Sequence, residues 1–116
     1  MKNEIEIDGI KYIKKDEILK IELQKPIEGT PFIVGANYML RTITMIYTGK
    51  LVAVYNKYLV LTNVAWIADT GRWADTVKTG DFNEVEPYPE KMRVNINVDT
   101  LLDSFIVDFD LPKNQK

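Results

Sequence analysis

The segment Tyr38–Val64, YMLRTITMIYTGKLVAVYNKYLVLTNV, is the strongest indication of the fold class of this chain. It is dense in Val, Ile, Thr, Tyr and Leu, whose branched or flat side chains fit a pleated, half-buried surface better than a helix. Side chains alternate between the two faces of a strand, so Met39 and Arg41 share one face and Leu40 and Thr42 share the other. The stretch therefore predicts strands of a mainly β domain, with one long bent strand as a solution for its first part.

Two features punctuate this stretch. Thr48–Gly49 is expected to break or bulge the first run, because a glycine inside a strand often marks a bulge. Leu51–Val54 and Tyr58–Leu61 then form two apolar strands, joined through a turn in which Asn56 best tolerates a left-handed conformation. The sequence predicts a tight hairpin at this point.

The segment that follows, AWIADTGRWADTVKTG, predicts a short inserted helix near residues 70–79. Asp69 or Thr70 is a plausible N-cap, since both side chains can accept a hydrogen bond from a free amide of the first turn. Gly71 opens the helix, and Gly80 follows as the C-terminal glycine.

This segment has two interpretations. In the structural one, Trp66 and Trp73 hold the helix on the sheet, with Val77 on the same helix face as Trp73. In the functional one, the cluster Asp69–Arg72 presents an anion or partner site at a helix N-terminus. The carboxylate of Asp69 opposes an anion site, which favours the structural interpretation.

The ends of the chain have a different character from its middle. EIEIDGIKYIKK reads as a hairpin that turns at Asp8–Gly9, and DEILKIEL, which follows, fits a strand or a short helix. We therefore expect an N-terminal β ribbon or arm over residues 1–24 and a linker rich in Pro and Gly over 25–32. A small barrel follows over 33–111, and a polar tail over 112–116.

The C-terminal third continues the β pattern. Pro87–Pro89 predicts a rigid extended connector, and Arg93–Val98 alternates apolar and polar residues as a strand with one solvated face does. Asp99 is expected in a turn or cap. Phe105–Phe109 predicts a last strand.

Composition excludes several classes of chemistry. The 116 residues suit one domain, and the formal net charge of -2 gives no global attraction to phosphate backbones or anionic lipid. Cys and His are both absent, which removes disulfides, thiolate nucleophiles, imidazole bases and the usual zinc, copper and haem ligands. Carboxylates, hydroxyls, lysines and tyrosines remain.

The sequence predicts no membrane or secretory segment. The N-terminus alternates apolar and charged residues and lacks an uninterrupted apolar core, and no run of about 18 apolar residues occurs. A cytoplasmic location is the expectation.

No catalytic, cofactor or metal site is predicted. Asp108 and Asp110 lie two apart, as do Glu84 and Glu86, but such pairs are typical of a solvated strand face and lack further ligands at loop spacing. No glycine-rich phosphate loop matches. A small enzyme using carboxylate or Tyr chemistry is the third functional alternative.

Aromatic and basic residues do mix in the middle of the chain, a composition that a small barrel could use to stack bases and contact a nucleic-acid backbone. The alternative is that the tyrosines are rim or core residues and that the charges are solvated. The candidate nucleic-acid contacts are Arg41, Lys50, Asn56, Lys57 and Tyr58.

The segment GKLVAVYNKYLVLTNVAW, Gly49–Trp66, resembles the second to fourth strands of Sm-like and Hfq-like proteins. RVNINVDTLLDSFIVD looks like the paired closing strands of that fold, although the arginine-glycine of the family's second motif is missing. The resemblance implies a strongly bent five-stranded sheet whose edge strands pair between subunits to close a ring. On this alignment Asn56 falls near the turn that touches RNA in Sm proteins.

The pattern TMIYTGKLVxV…LTxVAWIADTGRW also resembles short proteins of phages and prophage-like elements, which implies an assembly subunit located in a virion if phage-encoded. The leading expectation is therefore a small SH3-like or Sm-like barrel that acts as a non-catalytic, self-assembling structural protein without cofactors, its partners being further copies and other virion or assembly proteins. The alternative is an Sm-like RNA-binding ring. Aromatics concentrate binding energy at interfaces, and the candidate interface residues are Trp66, Trp73, Tyr88, Ile5 and Ile7.

Overall fold

The computed structural model describes residues 29–116, so the predicted ribbon and the interface candidates Ile5 and Ile7 lie outside the described residues. The chain divides into two units, Met1–Gly35 and Ala36–Lys116. All regular elements described here belong to the second unit. They are β1 (Asn37–Thr42), β2 (Ile46–Tyr55), β3 (Tyr58–Asp69), helix α1 (Trp73–Thr79), β4 (Glu84–Pro87), β5 (Val94–Asn97), a 3-10 turn (Val98–Thr100) and β6 (Leu101–Ile106).

The strands form one antiparallel sheet in the order β4-β3-β2-β1-β6. β5 pairs with the first residues of β3, and β4 pairs with its last residues. The prediction of a mainly β domain with one short inserted helix is confirmed. The sheet formed by the described residues is not closed into a barrel. β5 pairs with β3, and β6 pairs with β1. The 3-10 turn alone connects β5 to β6.

The first reversal of the chain lies at Ile43–Met45, so the predicted single bent strand is divided into β1 and β2. Thr42 makes this turn: its amide donates to the Met45 carbonyl at 2.8 Å, and its Oγ1 accepts from the Met45 amide at 3.0 Å. A threonine hydroxyl can replace the usual Gly or Asn of a turn in this way. The predicted break at Thr48–Gly49 is wrong, because β2 runs through it.

A bulge does lie at Thr48–Gly49, but its extra residue belongs to the partner strand β3 and not to the predicted run. The β2–β3 register shifts from Thr48 opposite Ala65 to Lys50 opposite Thr62. Asn63 takes up the extra residue with a φ of 52°, a left-handed conformation that costs a non-glycine residue about 1–2 kcal/mol.

The hairpin predicted at Asn56 is confirmed. Tyr55 pairs with Tyr58, and Asn56 has a φ of 53° between them. Asp99 lies in the 3-10 turn, as the prediction of a turn or cap allowed. The capping side chain is that of Asn97, whose Oδ1 accepts from the Asp99 amide at 2.8 Å.

Helix α1 begins later than its predicted caps. The N-cap is Arg72, which makes no side-chain capping bond, so the prediction of Asp69 or Thr70 is wrong. Asp69 Oδ1 instead accepts from the Gly71 amide at 2.9 Å, because a carboxylate two residues before an amide readily closes a local turn. Gly80 is the C-cap, with a φ of 71°, as predicted.

A hydrophobic core lies on one face of the sheet, under α1. Trp73 of the helix packs against it, as do Phe105 of β6 and Phe109, which follows β6. Alternate residues of the predicted last strand all reach this core, although β6 itself ends at Ile106. The buried members are Met39, Ala65, Ile67, Phe82, Val85 and Val107, and the partly buried ones include Ile46, Phe105, Phe109 and Leu111.

The residues predicted as a polar tail run beside β4. The Val85 amide donates to the Lys116 carbonyl and the Lys116 amide donates to the Val85 carbonyl, both at 3.0 Å. Lys116 Nζ lies 2.7 Å from Asp81 Oδ1. We call residues 110–116 the C-terminal strap.

Candidate functional site

The outer edge of β6 is one candidate interaction surface. The amide of Val107, just after β6, donates to the carbonyl of Asn37, the first residue of β1. Because backbone groups alternate in direction along an antiparallel strand, those of Ser104 and Ile106 point away from β1. Within residues 29–116, β6 has β1 as its sole strand neighbour. This edge can accept another strand.

Exposed apolar side chains accompany this edge. Ile43 is 70% exposed, Leu102 66% and Ile106 51%. Ile43 stands at the β1–β2 turn and is tied to the start of β6, since its amide donates to the Thr100 carbonyl at 3.0 Å. Half of the large apolar side chains that this part of the chain exposes therefore lie along β6 or beside it, the others being Tyr55, Tyr58 and Met92.

Arg41 of β1 is bound by Asp103 of β6 and lies over the ring of Trp73. Its Nε and Nη2 donate to the two carboxylate oxygens of Asp103, at 2.8 and 2.5 Å, and its guanidinium lies 4.7 Å from the ring centroid of Trp73. These hydrogen bonds raise the pKa of Arg41 and lower that of Asp103. Trp73 also meets Phe105 edge to face at 6.2 Å. Arg41 and Trp73, proposed from sequence for nucleic-acid and subunit contacts, thus contact each other.

Trp66 and Tyr88, the other described interface candidates, are separated from Trp73 by the sheet. Trp66 follows Ala65 of the core under α1, so its side chain points to the opposite face. It is opposite Tyr47 in the register, and the Tyr47 and Tyr88 rings meet edge to face at 6.4 Å. Burial, and then the proximity of Tyr88, raises the pKa of Tyr47. Both candidates are half-buried.

The candidate nucleic-acid residues do not form one surface. Asn56, Lys57 and Tyr58 share the β2–β3 turn, where Lys57 Nζ lies 3.1 Å from Asp99 Oδ2. Arg41 is bound to Asp103 near β6, and Lys50 lines the separate groove described below. The structure brings together three of the five residues, and an acidic partner neutralises the cation among them.

The loop Asp69–Arg72 uses its polar groups locally. Besides the Asp69 bond to the Gly71 amide, Thr70 Oγ1 donates to the Gly71 carbonyl at 2.9 Å. The backbone amide of Asn83 also donates to the backbone carbonyl of Asp69 at 2.9 Å. These bonds give the loop a structural role, and Trp73 does pack on the core under α1. The prediction that Trp66 also holds the helix on the sheet is wrong, because Trp66 lies on the opposite face, across from Tyr47.

A second candidate surface is a groove of about 800 Å³ beneath the C-terminal strap, which we call the strap groove. One wall is the β2–β3 bulge, the next is the connector after β4, and the third is the strap. The lining residues are Asn37, Lys50, Asn63, Val64, Pro87, Tyr88, Glu90, Asp110, Leu111, Pro112, Lys113 and Asn114.

Sequence reasoning did not identify the strap groove. Its one local signal is the bulge, because Asn63 is the kind of residue that takes the left-handed position. The strap wall depends on the backbone pairing of Lys116 with Val85. Backbone pairing of this kind cannot be predicted from a pattern of side chains.

The part of the chain that the structure describes contains no group of three or more acidic, His or Cys side chains that could hold a metal ion. None of its helices is long and apolar enough to cross a membrane. No protein-family model matches the chain, and comparison with curated proteins finds no relative.

Proposed function

We propose that this chain is a non-catalytic structural domain that assembles with further copies of itself through the outer edge of β6. The observation that carries the proposal is the backbone edge at Ser104 and Ile106, which no other strand of residues 29–116 pairs with, and the exposed Leu102 and Ile106 beside it. An edge of this kind pairs with another strand unless it is covered.

The sequence of β6 suits pairing with itself. In an antiparallel pair centred on Ser104, Leu102 lies opposite Ile106 of the second copy, and Asp103 lies opposite Phe105 of the second copy. Shifting the centre to Asp103 would set two carboxylates directly against each other, which is destabilising. The Ser104 register combines apolar contact with separated charges.

A barrel of the SH3-like or Sm-like kind belongs to the same proposal. A barrel brings the first and last parts of a sheet together. The support is the 3-10 turn Val98–Thr100, which connects β5 at one side of the sheet with β6 at the other. Strand pairing between copies would then extend the curved sheet into a ring or a virion layer.

RNA binding is the second candidate. It is favoured by one observation, the two tyrosines beside the left-handed Asn56: Tyr55 is 62% exposed and Tyr58 is 47% exposed. Exposed aromatic rings can stack on bases. The ion pair of Lys57 with Asp99 opposes it. Failure of a single-stranded RNA to shift in a low-salt mobility assay would remove this candidate.

Size-exclusion chromatography with light scattering tests the assembly. The natural chain should form an oligomer at high concentration, and Leu102→Lys and Ile106→Lys should each shift it toward monomer, because a buried unpaired charge opposes pairing. Met92→Lys is the matched control, since Met92 is 46% exposed and lies in the loop between β4 and β5. A monomeric natural chain, or equal loss of assembly in all three variants, contradicts the proposal.

A further inference from the structure

The polar side chains of the strap groove have no partners within the described chain. The lining includes three amides, two ammonium groups and two carboxylates, and none of them makes a side-chain hydrogen bond or ion pair among residues 29–116. They can therefore bind a ligand without first breaking an internal contact. The side chains in question are Asn37, Asn63, Asn114, Lys50, Lys113, Glu90 and Asp110.

The charges that residues 29–116 contribute to the groove balance. Lys50 and Lys113 line it together with Glu90 and Asp110, so the formal charge of this part of the lining is zero. A balanced groove gives no net attraction to a phosphate chain or to a polycation. Its amides, ammonium groups and carboxylates offer many donors and acceptors together, which matches a ligand rich in hydroxyl groups, since each hydroxyl both donates and accepts.

Apolar surface lies among these polar groups. Val64, Pro87, Tyr88, Leu111 and Pro112 also line the groove. The edge-to-face contact with Tyr47 supports the Tyr88 ring. Pockets that bind small molecules combine apolar walls with a few placed polar groups in this way, and the C–H face of a sugar ring packs well on aromatic and proline rings.

The bulge fixes one of the polar groups. Asn63 lies inside the long strand β3 with a φ of 52°, and the strands pack closely at Gly49 opposite it, where an added Cβ would lie 3.0 Å from Val64 Cγ2. Bulges commonly redirect a side chain beside a functional site. The Asn63 amide is therefore held on a rigid strand pair and not on a loop.

We propose that the strap groove binds a neutral oligosaccharide, with Asn63 of the bulge and Asn114 of the strap as hydrogen-bonding residues and Tyr88 as the ring that packs against a sugar. This inference is independent of self-assembly through β6, since none of the lining residues belongs to that strand.

The test is titration of the ¹⁵N-labelled chain with maltohexaose, cellohexaose and N-acetylchitohexaose in turn, each to about 10 mM, followed by NMR. At least one sugar should shift amides of the groove selectively with a Kd of about 1 mM or tighter. Asn63→Gly should weaken binding by about tenfold while keeping the fold, because glycine accepts the positive φ without strain. Asn114→Ala should weaken it similarly.

Asn95→Ala is the matched control, because Asn95 is exposed on β5 and does not line the groove; it should bind as the natural chain does. Absence of groove shifts with all three sugars overturns the proposal. So does tighter binding of hexathymidylate than of any sugar in the groove, or unchanged affinity in Asn63→Gly and Asn114→Ala. Light scattering of the same samples reports assembly separately, so the two proposals can fail independently.

Discussion

β4 and β6 are both outer strands of one antiparallel sheet, but among residues 29–116 the chain covers the edge of β4 and leaves that of β6 bare. At β4, the Lys116 backbone forms two bonds with Val85. At β6, Ser104 and Ile106 direct their backbone groups outward. Within the described residues, one outer edge is therefore protected and the other is not, as expected if the β6 edge pairs with another strand.

The covered edge depends on an aromatic anchor. Phe109 meets Phe82 edge to face at 5.8 Å, immediately before the C-terminal strap begins. Phe109→Ala should lower the free energy of unfolding by about 2–3 kcal/mol, because it leaves a cavity beside the fully buried Phe82. Urea denaturation followed by circular dichroism measures this.

Ile106→Ala is the matched substitution at the β6 edge. Ile106 is half-exposed, so this variant should cost about 1 kcal/mol or less in a monomer. Equal losses in Phe109→Ala and Ile106→Ala would mean that the two edges are not built differently.

Removing the cover itself should have the next largest effect. Deletion of Gln115 and Lys116 removes both backbone bonds to Val85 and should cost about 2 kcal/mol, at roughly 1 kcal/mol for each bond. Hydrogen exchange of the Val85 amide should accelerate in the deleted chain.

The Tyr88 amide, which donates to Val64, should keep its protection in the deleted chain. Lys116→Ala is the second control, because it removes the side chain but retains the backbone pair. If the Val85 amide stays protected after the deletion, the strap does not cover β4 in solution.

Each edge also carries one exposed ion pair, and the smallest effect concerns these. The hydrogen bond from Lys116 lowers the pKa of Asp81, and the one from Arg41 lowers the pKa of Asp103. A carboxylate whose folded pKa is depressed contributes stability above its unfolded pKa, about 3.9, and this contribution is lost as the pH falls through the lower folded value.

Thermal melting at neutral pH and below about pH 4 measures this contribution. The melting temperature should fall on acidification, and Asp81→Asn and Asp103→Asn should each reduce the size of that fall slightly, since solvent screens both pairs. An unchanged pH dependence in both variants would contradict the role of these pairs.

Much of the sheet could be predicted because its signals are local. The period-two pattern identified the strands, and Asn56 identified the hairpin because few residues accept a positive φ. The turn at Ile43–Met45 could not be predicted from composition, since Thr42 forms it through its hydroxyl among strand-forming residues.

The candidate sites were harder to predict, for two physical reasons. Backbone bonds such as those between Val85 and Lys116 carry no residue signature, so neither the covered edge nor the strap groove was foreseen. Long-range pairing also decides whether a charge is available: Arg41 was proposed as a nucleic-acid contact, but Asp103, far along the chain, binds its guanidinium. Whether Trp66 and Tyr88 contact a second copy stays a prediction.

The position of β1 between β2 and β6 affects how the chain folds during synthesis. β1 pairs with β2 across a short turn, but its other neighbour is β6. Tyr38 can therefore pair with Ile106 only after nearly the whole domain has been synthesised. Contacts this distant in sequence form slowly. Until β6 of the same chain is synthesised, this edge of β1 is open to pairing with β6 of a neighbouring copy. We therefore expect strand exchange when the domain misassembles.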